Sequence, residues 1–255
     1  MIRELLRMPV RDLRSRVSGR IDHVPVLEGR PSGPVADETA RVILLHGLSA
    51  SSETMIPEMD QLSASGFVCL APDAPHHGER ADGFLDRMRG TAPTQAHACL
   101  LDIIIPWIEE LTGLMAELRA QGMRRLAVVG VSMGGHAALG SMLHDPRPDV
   151  CIPLISTPCW EPRRNEGARD PRDTGAPRYF PERFPPTPLL AITAGRDSIV
   201  PPEPMRQFVE SLRPRYADFP ERLRYLEFPE SDHCMRQEDW QQAWREVAAW
   251  LDRWL

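Results

Sequence analysis

Short, mostly apolar runs alternate with stretches of helical period along most of this chain. Residues 41–45, 67–71, 126–129, 150–155, 189–194 and 223–228 read as strands. Continuous apolar strands of this kind belong in a mainly parallel sheet covered on both faces. Residues 21–27 alternate apolar with polar and predict an edge strand. Helical spacing predicts helices over 52–65, with Gly66 as the stop, over 94–121 with a kink at Pro106, and from Met133 onward. The last helix, 238–254, carries Trp240, Ala243, Trp244, Val247, Leu251 and Trp254 on a stripe that must pack against the sheet. Residues 72–93 are irregular and rich in Gly, Pro and His. Residues 157–188 are dense in Pro and Arg and too polar for a second domain, so a short cap or active-site loop is expected there. The pattern predicts one α/β domain over residues 1–255.

The strand 126–129 breaks directly into Gly130-Val131-Ser132-Met133-Gly134 and then a helix-compatible stretch. A serine turned sharply between strand and helix needs neighbours two residues away with almost no side chain. Such a turn also leaves the Met133 N–H unpaired at a helix N-terminus, where it can stabilise developing negative charge. A serine nucleophile needs a base, and the base needs an orienting acid. Asp197 follows the strand 189–194 in Gly195-Arg196-Asp197-Ser198-Ile199-Val200-Pro201, and His233 follows the strand 223–228 in Ser231-Asp232-His233-Cys234. Asp232 competes with Asp197 for the acid's role, but adjacent side chains rarely form a productive carboxylate–imidazole bond.

These segments, with Leu44-Leu45-His46-Gly47-Leu48 and Asp73-Ala74-Pro75-His76-His77-Gly78-Glu79-Arg80, resemble α/β-hydrolase serine esterases near the dienelactone-hydrolase and prolyl-oligopeptidase branches. The resemblance covers roughly residues 41–254. It implies the α/β-hydrolase fold and a triad in the order Ser132, Asp197, His233. It also implies an oxyanion hole from the Leu48 and Met133 backbone N–H groups, and loop-stabilising roles for His46, Asp73, His77 and Arg80. The nucleophile is Ser where dienelactone hydrolases carry Cys, and no propeller domain accompanies it as in prolyl oligopeptidases.

Composition narrows the partners. A formal net charge of −6 supplies no basic excess to displace counterions from a nucleic acid. Every cationic side chain except histidine is Arg, so lysine chemistry is excluded. Cys69, Cys99, Cys151, Cys159 and Cys234 are dispersed and predict buried thiols rather than disulfides or a zinc site. The adjacent His76 and His77 point apart and lack carboxylates at metal-ligand spacing. The longest apolar stretch, 98–108, contains Asp102 and Pro106 and is too short for a bilayer. Residues 1–20 are amphipathic and Arg-rich without a signal-peptide core, which predicts a cytoplasmic protein.

The expected activity is cleavage of short-acyl carboxylic esters through an acyl-enzyme, without cofactor or metal, on a small-molecule substrate. Trp160 and Phe180 are candidates to line the site. A thioesterase, C–C hydrolase or small-peptide hydrolase would use the same triad, and a catalytically silent binding module is the reading from another class. Oligomeric state is not encoded in these patterns.

Overall fold

A computed structural model describes residues 16–21, 24–33, 35, 39–161 and 170–255. Eight strands form one sheet: β1 (Arg16–Ile21), β2 (Val24–Gly29), β3 (Arg41–Leu45), β4 (Val68–Pro72), β5 (Leu126–Val131), β6 (Val150–Leu154), β7 (Leu189–Ala194) and β8 (Leu223–Phe228). Their spatial order is β1-β2-β4-β3-β5-β6-β7-β8. The first two strands form an antiparallel hairpin whose second strand pairs antiparallel with β4, and all later pairings are parallel. The edge is therefore a hairpin over 16–29, where alternation predicted one strand over 21–27.

The runs that form β3 to β7 are buried strands because they feed two cores. Ile43 and Leu45 of β3, and Leu126 and Val128 of β5, point to one face, while Val42, Leu44, Ala127 and Val129 point to the other. The first face is covered by α3 (Pro93–Ala120), α4 (Met133–Ser141) and α5 (Glu203–Leu212). The second face is covered by α1 (Ile56–Ala64) and α6 (Gln237–Trp254). A short helix, α2 (Phe84–Arg89), stands inside the segment expected to be irregular. Helix α3 runs over Pro93–Ala120 with Pro106 inside it. Gly66 ends the α1 segment with φ +97°, a conformation that only glycine adopts without strain.

Helix α5 carries Met205, Phe208, Val209 and Leu212 inward at helical spacing, all buried. On α6 the buried face is Ala243, Trp244, Val247, Trp250 and Leu251, with Trp240 and Trp254 half-exposed at its edges. Of the expected cap 157–188, residues 162–169 lie outside the described residues, and 170–188 include three short 3-10 turns. Phe184 there is buried edge-on against Phe208 at 5.0 Å. Of the five cysteines, all thiols, only Cys69 and Cys151 are buried; Cys99 and Cys159 are partly exposed and Cys234 is exposed. Among the described residues no helix is long and apolar enough to cross a membrane.

The loops beyond β3 and β4 are tied together from inside. The Ala74 N–H donates to His46 Nε2 at 3.0 Å, so the proton sits on Nδ1, which donates to the Gly47 carbonyl at 2.8 Å. His77 repeats the device, accepting from the Ser49 N–H at 3.1 Å and donating to the Pro75 carbonyl at 2.7 Å. Asp73 accepts from the Ser52 and Glu79 N–H groups at 2.8 and 3.0 Å. Arg80 donates to the Asp73 carbonyl and makes a two-point pair with Glu110 of α3. Gly78 has φ +53°, and a Cβ there would lie 2.2 Å from Asp73 Oδ2. Burial disfavours the charged imidazole and lowers His46 to about 4, and it lowers His77 in the same direction.

Two stability measurements follow. Trp244 is 1% exposed, so Trp244→Ala costs about 3–5 kcal/mol, read as a lower urea midpoint at unchanged slope. His46 titrates at 6.5 when unfolded but at about 4 when folded. Its contribution is complete above pH 6.5 and is lost as pH falls from there toward 4, by about 3 kcal/mol. Unfolding free energies measured between about pH 6.5 and 5 should therefore fall less steeply in His46→Asn than in wild type.

Candidate active site

Leu48, Ser132, Met133, Asp197 and His233 each follow the carboxyl end of a parallel strand, and the strand order reverses between β3 and β5. Ser132 occupies the bend between β5 and α4 with φ 53° and ψ −113°. The bend closes because its glycines have no side chains. A Cβ on Gly130 would lie 2.1 Å from the Gly134 carbonyl oxygen, and one on Gly134 would lie 2.3 Å from that of Leu45. Gly135 is equally tight, 2.5 Å from Ser156. The Ser132 N–H donates to the Leu154 carbonyl at 2.8 Å, fastening the strained residue to β6.

From this bend Ser132 Oγ lies 3.0 Å from His233 Nε2, and His233 Nδ1 lies 2.6 Å from Asp197 Oδ2. Asp197 is buried, and its other oxygen accepts from the Ile199 and Val200 N–H groups at 2.9 and 2.7 Å. Both carboxylate oxygens are thus engaged, which locks the carboxylate's rotation. Asp232 instead folds back on its own loop and accepts from the Cys234 N–H at 2.9 Å. The acid and base loops are joined directly, the Arg196 N–H donating to the Ser231 carbonyl at 2.8 Å. A buried carboxylate holding one imidazole nitrogen leaves the other poised to take a hydroxyl proton.

Leu48, which follows the His46-Gly47 turn, and Met133, the first residue of α4, both flank Ser132. Neither backbone N–H has a hydrogen-bond partner among the described residues. His136 accompanies them, donating from Nδ1 to the Ser132 carbonyl at 2.8 Å. His76 stacks on Phe84 at 4.1 Å and pairs with Asp82, so it diverges from His77.

Ser132 stands between two cavities. The smaller, of about 390 Å³, is walled by Leu100, Leu101 and Ile104 of α3, with Met88, Trp160 and Val200. The larger, of about 670 Å³, contains His233. Trp160 joins Ser132 in the smaller cavity. Phe180 lines neither; it borders a separate cavity on the far side of Trp160, because the turn before it carries its ring outward. The expectation that both aromatics flank Ser132 is therefore corrected to Trp160 alone. Sequence reading missed the α3 wall, including His97, whose Nε2 is 2.8 Å from Asp173, and it missed Ile199. Apolar spacing marked α3 as helical, but nothing in it distinguished a cavity wall from core packing.

The Alpha/beta hydrolase family pattern matches residues 42–255. The chain is 25% identical over 215 residues to YitV of Bacillus subtilis (strain 168), assigned as an esterase, spanning 75% of this chain and 82% of that protein. It is 30% identical over 132 residues to esterase YjfP of Escherichia coli (strain K12), spanning 51% of this chain and 50% of that one. The crystal structure of TT1662 from Thermus thermophilus superposes with a TM-score of 0.73 at 25% identity, covering 94% of this chain and 98% of its own. With this sheet order and a family pattern running from β3 to the C-terminus, the chain belongs to the alpha/beta hydrolase family.

Proposed function

We propose that this protein is a serine carboxylic-ester hydrolase that prefers short acyl groups. The observation that carries the reading is the hydrogen-bonded line Asp197–His233–Ser132, at 2.6 and 3.0 Å, on three separate strand ends. The esterase assignments of YitV and YjfP support the same class of reaction. In this mechanism His233 Nε2 takes the Ser132 proton as Oγ attacks the ester carbonyl. The developing oxyanion accepts from the Leu48 and Met133 N–H groups. His233 then returns the proton to the departing alcohol oxygen, and water, activated by the same imidazole, releases the acid. Asp197 holds the imidazole tautomer and stabilises its cation.

Acyl size follows from the smaller cavity. Each methylene moved from water into an apolar wall is worth about 0.8 kcal/mol, but only while wall remains to cover it. The reading places a short acyl chain in this cavity of about 390 Å³, against the aliphatic side chains of α3 and Trp160.

Ser132→Ala should lose about 10⁴-fold or more in kcat on p-nitrophenyl butyrate while its thermal melt stays cooperative. Asp197→Asn should cost roughly 10²- to 10⁴-fold, and Asp232→Asn only about twofold. The reverse ranking would move the acid to Asp232. Across p-nitrophenyl acetate, butyrate, octanoate and palmitate, kcat/KM should peak at or before butyrate. Trp160→Ala should shift that peak to longer chains, whereas Phe180→Ala should leave it in place.

A further inference from the structure

The two cavities are not equivalent with respect to the base. His233 lines the larger one and is absent from the wall of the smaller. A base that protonates the leaving oxygen must stand beside it, so the alcohol half of an ester belongs in the larger cavity and the acyl half in the smaller. This assignment rests on the ester-hydrolase reading above.

The larger cavity has one carboxylate in its wall, that of Glu58 on α1. Glu58 is 8% exposed. Its Oε1 accepts from Trp240 Nε1–H at 2.8 Å, and among the described residues it has no cationic partner. Carboxylates this deeply buried are ordinarily matched by an Arg, Lys or metal, because a lone neutral donor does not compensate the charge lost from water. The rest of the wall is neutral and largely apolar, including Met55, Ile155, Ile199 and the Trp240 indole. A compact cation seated there meets the carboxylate with an aromatic ring beside it.

We propose that Glu58 and Trp240 form a cation-recognising subsite for the leaving group, so that the preferred esters are those of alcohols bearing a quaternary or protonated amine. As the acyl carbon–oxygen bond breaks, the alcohol oxygen takes the proton from His233 Nε2, and the cationic alcohol remains in this cavity until it diffuses away. The carboxylate changes neither charge nor bonding, so it sets selectivity rather than chemistry.

The test compares acetylcholine with 3,3-dimethylbutyl acetate, in which carbon replaces the cationic nitrogen at equal shape. Wild type should favour the cationic ester by about tenfold in kcat/KM, mainly through KM. Glu58→Gln, whose amide oxygen can still accept from Trp240, should bring the ratio to about one. Choline binding, measured by calorimetry without turnover, should weaken by about the same factor in Glu58→Gln. A wild-type ratio at or below one, or a ratio unchanged in Glu58→Gln, overturns the subsite. If neither ester nor p-nitrophenyl acetate is cleaved but choline binding still depends on Glu58, the subsite stands and the ester-hydrolase reading falls. Loss of choline binding in neither protein, or its absence from both, overturns the subsite independently of the reaction.

Discussion

The bend between β5 and α4 can close only if nothing larger than hydrogen projects from Gly130, Gly134 and Gly135. That steric condition sets the rest of the site. It lets the chain reverse within a few residues, holds Ser132 at positive φ, and brings the N-terminus of α4 up beside the β3 loop. Gly134 packs its backbone directly on the Leu45 and His46 carbonyls, so the bend and the Leu48 loop are a single packed unit. A methyl group at that contact would separate the Met133 N–H from the Leu48 N–H. The strain at Ser132 persists because the surrounding sheet over-determines it, through the bond to Leu154 and the buried strands on both sides.

The histidines divide by surroundings rather than by residue type. His46 and His77 are each bracketed by a backbone donor on one nitrogen and a backbone acceptor on the other, which requires the neutral ring. Burial enforces that state by penalising the cation. They act as cross-braces that fasten the β3 loop to the β4 loop, and Asp73 and Arg80 extend the brace outward to α3. His233 has a carboxylate on one nitrogen and a hydroxyl on the other, a pairing that accommodates gain and loss of a proton. One imidazole chemistry thus supplies cross-braces in two positions and a carboxylate–imidazole–hydroxyl line in the third.

Asymmetry around Ser132 gives the site its direction. On one side α3 lays aliphatic side chains and Trp160 over a small cavity; on the other, α1 and α6 bring Glu58 and Trp240 toward a larger one that holds His233. The helices come from opposite faces of the sheet, so the two walls derive from the two separate cores. Ser132 sits where the cores meet, at the reversal of strand order. The two cavities beside Ser132 therefore have walls of unrelated origin.

Much of this was legible in the chain itself because it depends on short-range constraints. Runs flanked by turn residues identify β3 to β8 to within a residue or two, and β3 to β7 are mostly apolar because they are buried on both faces. The Gly-x-Ser-x-Gly spacing specifies the bend, because only glycine tolerates those contacts. Asp197 and His233 were identifiable from their positions just past strand ends, and Asp197 was preferred to Asp232 because neighbouring side chains diverge. The β1–β2 hairpin, the short helix Phe84–Arg89 and the orientation of Phe180 were not legible, since each depends on what lies opposite in space. Glu58 and Trp240 stand 182 residues apart in sequence yet share a hydrogen bond, and His97 meets Asp173 across the groove beside Trp160. The sequence determined which residues turn and which are buried; the packing of α1, α3 and α6 over the sheet decided what surrounds them. Cavity shape is a sum of long-range contacts between helices, and no local period or motif records that sum.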